Sequence, residues 1–246
     1  MATAVMQQTG SRRLENLFFS GMALLILASM LLGFARSYFL AGMWRAPLPS
    51  AIVHVHGAVF SSWILLLIAQ ISLVSARQVK WHRRLGMLGA GLATAMVVLG
   101  IMAATDSLAR GFSPPGSRMD AATFFAFPFV QVAIFAVLIG AAFRARRDPA
   151  THKRLMLIAT IAVLGPAINR WPFAVMKRVP LTTAGVLLML ILLLVGFDIS
   201  TRRKIHRATL WGGLTVMVSQ LLLFPIGHSA IWHRFAGWSV RVWTGL

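Results

Sequence analysis

The sequence has no cysteine and only five acidic residues in 246. The missing thiols exclude disulfides, iron–sulfur clusters, thiolate-held zinc and covalently attached haem. A metal or haem here would need histidine, methionine or oxygen ligands. Charge of any kind is scarce: 12% of residues are charged, about half the share of a soluble domain. Also absent are a Walker loop, an HExxH pair, clustered histidine boxes and a G-x-S-x-G elbow. The last apolar run contains no lysine, which excludes a retinal Schiff base. Few acids lie inside the apolar runs, which weighs against proton-coupled transport.

What is present is apolar residue, 58% of the chain, with a mean hydropathy of +0.78. That exceeds what one soluble core can bury and assigns the chain to integral membrane proteins. Lys and Arg number 24, giving a net charge of +19. They sit in short clusters between apolar runs and form no continuous face that could follow a phosphate backbone. Nucleic acid is therefore not an expected partner. Anionic membrane lipid is, because such clusters suit loops at a negative bilayer surface.

A membrane-crossing helix needs about 20 mostly apolar residues. Seven stretches qualify, near 15–36, 50–76, 85–105, 121–143, 153–174, 181–200 and 208–230. The spacing predicts an all-α, polytopic bundle of about seven transmembrane helices in one domain, 1–246. It is organised as a lead helix (15–36), three hairpins (50–105, 121–174, 181–230) and an outer interfacial tail (231–246) rich in Trp and Arg. The run Leu17–Phe34 follows Arg12-Arg13 but ends in no small-x-small site, so it reads as a span, not a cleaved signal. Basic residues collect at 77–84, 144–154 and 202–207, which predicts an inner-side N-terminus, an outer C-terminus and a bacterial cytoplasmic membrane. Trp44, Trp171, Trp232, Trp238 and Trp243 then fall at the outer interface, Trp81 and Trp211 at the inner one.

One motif recurs. His82-Arg83-Arg84, His152-Lys153-Arg154 and, more loosely, His206-Arg207 each open an apolar run on the basic side. Interfacial anchoring is the plain reading. These residues are also candidate lipid-phosphate ligands, because free N–H groups at a helix N-terminus and the basic side chains would point at one anion. Convergence of the three histidines on a metal or haem edge is the sharper alternative. Asp198 is expected to pair with Arg202 or Arg203, and Gln70, Gln131 and Gln220 to bond between helices.

Four histidines lie on the other side: His54, His56, His228 and His233. Pro49-Ser50 is a plausible helix start, and His56 then shares a helical face with Phe60, Trp63 and Gln70. Gly57 beside it allows close backbone approach. His228 ends the seventh run at the same depth. His56 and His228 are thus the leading candidate cofactor ligands, with His54, Trp63 and Gln70 nearby. No metal is identified, and b-type haem is the cofactor such a pair could hold. Hydrogen bonding to a neighbouring helix or to water is the competing reading for these histidines.

The string His54-x-His56-Gly57…Trp63…Gln70…Arg77…His82-Arg83-Arg84-Leu85-Gly86, followed by His152-Lys153-Arg154-Leu155-Met156, resembles a group of bacterial multi-pass membrane proteins. The likeness spans about residues 50–207 and implies a membrane location without implying an activity. A fainter likeness is to dihaem b-type transmembrane cytochromes, which also carry two histidine layers. This chain departs from them, since its basic-side histidines lie at helix mouths and no four-helix set of paired ligands appears. Three functions stay open. The first is an accessory, assembly or lipid-interacting subunit, possessing other membrane subunits as partners. The second is a histidine-liganded redox protein, and the third a transporter or channel.

Overall fold

In the computed structural model, residues 2–41, 43, 50–114, 119–173 and 182–245 are described, with side chains from Arg12 onward. Trp44 and Pro49 lie outside them. Among the described residues the fold is all-helical. In chain order the helices are α1 (Ala2–Phe34), α2 (Ala51–Ser75), α3 (Val79–Ala109), α4 (Ala121–Arg144) and α5 (Pro149–Ala162). After them come α6 (Gly165–Ile168), α7 (Thr182–Arg202), α8 (Arg207–Gly227) and α9 (Ala230–Thr244). A single π-turn, Ala35–Phe39, ends α1.

Caps set the helix starts. The Asp120 carboxylate accepts from Thr123 N at 2.6 Å and begins α4. Asp148 accepts from Ala150 N and Thr151 N at 3.0 and 3.3 Å, and Pro149 follows it at the first helical position. Ser229 accepts from Trp232 N at 3.2 Å to start α9, which Gly245 ends in the left-handed region at φ 75°.

Among the described residues six helices are long and apolar enough to cross a membrane: the segments Arg12–Phe39, Ala51–Ser75, Val79–Ala109, Ala121–Arg144, Thr182–Arg202 and Arg207–Gly227. The expected fifth span, 153–174, is not one continuous helix. It divides into α5 and the one-turn α6, because Pro166 has no N–H to donate back to Ala162 and its ring opposes an unbroken turn there. This broken segment is the centre of the bundle. Arg154, Leu155 and every residue from Leu157 to Ala162 are buried. α5 packs on α4, α7 and α8, and α6 on α1 and α7.

The core joins Ile26, Trp63, Met96, Phe135, Ile158, Ile161, Leu190 and Val216 from seven helices. The outer faces are apolar too: Leu65, Met87, Leu88, Val137 and Leu221 are each at least 60% exposed. In water such a surface would be untenable. Against lipid tails it costs nothing, and each helix bonds its own backbone as a bilayer demands.

The closest backbone approach is at Gly33. A Cβ there would sit 2.1 Å from the carbonyl oxygen of Ala167, so α1 and α6 touch main chain to main chain. The tail forms α9 and packs on α3 and α4 through Trp232, Ala236 and Ser239, leaving Ile231, Trp238 and Val242 outward. Two tryptophans expected at the outer interface donate to the main chain of other helices. Trp171 donates to Ser29 O at 3.1 Å and Trp232 to Ala122 O at 2.8 Å.

Candidate functional site

The basic end of the bundle carries three turns, α2–α3, α4–α5 and α7–α8. At each, the motif histidine reaches back to the helix before it. His152 Nδ1 donates to Ala142 O at 2.8 Å. That carbonyl lies in the last turn of α4, where Arg146 N bonds Phe143 O instead. The imidazole therefore satisfies an orphan acceptor of a helix end. His206 closes its turn twice. Its main-chain N donates to Asp198 Oδ2 at 3.1 Å, and its Nδ1 accepts from Ala208 N at 3.1 Å as the N-cap of α8. His82 lies beside the main chain of Gln70 and close to His152. Two of these turns place an arginine in the left-handed region, Arg77 at φ 60° and Arg203 at φ 58°.

The second copy of the motif is a hub. His152 holds α4. Lys153 pairs with Glu15 of α1 and lies 5.2 Å over the Phe19 ring. Arg154 turns inward, with its side chain and that of Asp198 both at 0% exposure. Its Nε donates to Asp198 Oδ1 at 2.9 Å, its Nη2 donates to the same oxygen, and its Nη1 donates to Ala150 O at 2.8 Å. Asp198 Oδ2 accepts from Thr209 Oγ1 and from His206 N. The expected pairing of Asp198 with Arg202 or Arg203 is thus corrected. Arg154 takes that place and is not presented to lipid. The signal was available: Arg154 shares a helical face with Leu157, Ile158 and Ile161, all buried.

The other two copies behave differently. Arg83 and Arg84 are exposed, the latter 5.2 Å over the Trp81 ring, and Arg207 is exposed at the start of α8. Among the described residues no ion pair is formed to them. Glu15 holds Lys153, and Asp106 pairs with Arg110 at 2.7 Å and accepts from Ser50 Oγ. Asp120 and Asp148 cap helices, and Asp198 is buried with Arg154. These are the chain's five acids.

Proton affinities follow these contacts. Donation from the Thr151 hydroxyl and main chain holds the Asp148 carboxyl below the usual carboxylate range. The Thr123 N–H does the same for Asp120. Burial, reinforced by the guanidiniums of Arg154 and Arg202, lowers the proton affinity of His206. A neutral imidazole is the form its capping role requires.

At the opposite end each histidine has its own neighbour. The Tyr38 hydroxyl is 3.1 Å from His54 Nδ1. His228 Nδ1 donates to Phe224 O at 2.9 Å, and its ring is exposed. His233 Nε2 donates to Gly227 O at 3.0 Å. His56 lies with its ring centroid 4.1 Å from Phe60, its Nδ1 buried and without a protein partner. The expected face is real, since Trp63 is 2% exposed and donates to Thr160 Oγ1 at 3.1 Å, and Gln70 lies beside Gly86. No hydrogen bond or ring contact joins His56 to His228 among the described residues. α2 packs on α1 and α3, whereas α8 packs chiefly on α4, α5 and α7, and neither ring has the other among its contacts. Among the described residues no three His, Asp or Glu side chains group as metal ligands. Gln70 Oε1 and Gln131 Oε1 are buried and receive no protein hydrogen bond.

No family model, curated protein or solved structure matches the chain.

Proposed function

We propose that this multi-pass membrane protein is a lipid-interacting accessory subunit of the bacterial cytoplasmic membrane, its basic end facing the cytoplasm. One observation carries the reading. Among the described residues the exposed cations of the first and third motif copies form no ion pair, while Glu15 and Asp198 are spent on the second copy and Asp148 caps α5. Phosphate groups of anionic lipid are the counter-charge available at that depth.

The test is lipid retention by native mass spectrometry. Arg83→Gln with Arg84→Gln, and separately Arg207→Gln, should each weaken retention of phosphatidylglycerol or cardiolipin by about fivefold per cation removed, from about 1 kcal/mol per basic residue at an anionic surface. Unchanged retention would leave these residues with topology alone.

A histidine-liganded redox protein is the second reading, supported by the buried, unpartnered Nδ1 atoms of His56 and His82. A Soret band in the purified protein that His56→Ala removes and His54→Ala spares would move the assignment there.

A further inference from the structure

We infer that the cleft between α1 and α7 is a binding site for one anionic phospholipid, with an acyl chain in the cleft and the phosphate at its basic mouth. The inference rests on the lipid-interacting reading above and gives it a place. α1 and α7 are held apart at this level. They touch through Phe18 stacked on Phe197 at 4.1 Å, and a groove of about 380 Å³ opens beside that contact toward the bilayer. Its walls are Leu17, Gly21 and Leu25 on α1 and Leu193 and Phe197 on α7, with Ser200 near the mouth. The leucines are exposed: Leu17 at 63%, Leu25 at 40% and Leu193 at 44%.

Length and charge together select the occupant. From Leu14 at the mouth to Leu25 the groove follows α1 for about 16 Å at 1.5 Å per residue. Half of a bilayer's hydrocarbon core is about 15 Å, so the groove is as deep as one leaflet's chain is long. At the mouth, Arg12 and Arg13 directly precede Leu14, and Arg202 and Arg203 follow Ser200 on the facing helix. All four are exposed. The nearest acid, Glu15, is occupied by Lys153, and Asp198 by Arg154. A cationic mouth above a leaflet-deep apolar groove is complementary to an anionic lipid, with its charge and its chain at those two levels.

Gly21 makes the site testable. A side chain there would meet nothing within 4 Å and would project into the cleft without disturbing the core. The full-length protein, embedded in nanodiscs of phosphatidylcholine with phosphatidylglycerol, is extracted and its bound lipids counted by native mass spectrometry. Gly21→Phe, or independently Leu193→Phe, should remove one tightly held phosphatidylglycerol while leaving the melting temperature unchanged. Arg12→Gln with Arg13→Gln should weaken that same lipid by about fivefold per arginine, with little effect on phosphatidylcholine. The site is overturned if both filling variants retain every phosphatidylglycerol. It is also overturned if they release phosphatidylcholine equally, or if what they release is a co-purifying protein. Loss at Arg83→Gln/Arg84→Gln with none at Gly21→Phe would remove the groove and keep the basic-rim reading. Loss at neither would remove both.

Discussion

Arg154 and Asp198 show what a single pair does in a bundle without other internal charge. Each is fully buried, and together they join α5 to α7 while Thr209 and His206 N, at the start of α8, fill the remaining acceptor sites. Taking two ions out of water is costly, and satisfied geometry repays it only while both are present. Arg154→Met or Asp198→Leu alone should therefore cost about 3–5 kcal/mol, seen as lost folded yield and a lowered melting temperature in detergent. The double variant should recover most of that. A single variant that melts like the parent would show that the pair is dispensable. His206 supplies a pH-dependent counterpart. Its proton affinity is lowered on folding, so its contribution is complete above the ordinary histidine value of about 6.5 and is lost as pH falls through the lower folded value. His206→Asn keeps a capping acceptor that does not titrate. Melting curves between neutral and mildly acid pH should fall less steeply for this variant than for the parent, and equal slopes would exclude the cap as their source.

Among the elements, the broken segment α5–α6 depends on its neighbours more than on its own propensity. A one-turn helix has little stability alone, and α6 is held by α1 and α7. Gly33 permits the α1 contact, with Ala167 O where any side chain would stand. Gly33→Leu should force the helices apart and cost about 1–3 kcal/mol, whereas Gly21→Leu, twelve positions earlier on the same helix and facing open space, should cost almost nothing. Equal melting temperatures for the two variants would contradict this contact. The motif turns of His152 and His206 are likewise shared devices, each tying the helix it opens to the one that ended before it.

For the whole molecule, the apolar exterior and the grouping of free cations at one end define how it lies in a bilayer. Short basic connections are retained on the cytoplasmic side. A reporter that is active only in the periplasm, fused at residue 80 or 150, should be silent, and the same reporter after residue 244 should be active. The reverse pattern would invert the orientation and place the groove in the other leaflet. The α9 helix adds a second apolar groove at the Trp-rich end, lined by Phe129, Phe235, Trp238 and Trp243 among others.

Long-range solvent preference was legible in the linear order of residues. Uninterrupted apolar runs specify helices that bond their own backbone in lipid, so the runs near 15–36, 50–76, 85–105, 121–143, 181–200 and 208–230 announced the six long apolar helices, and the face of His56 and Phe60 carries the buried Trp63. Partner choice was not legible, because it depends on which helices become neighbours. Three nearly identical basic motifs diverged in use: His152-Lys153-Arg154 met Ala142, Glu15 and Asp198 on three other helices, while Arg83, Arg84 and Arg207 met none. His56 and His228, expected at one depth, sit on helices with different packing partners, and depth alone does not bring two side chains together. The same reason explains the groove: an open space exists only between two helices, and only the packing of α1 and α7 around Phe18 and Phe197 leaves one there.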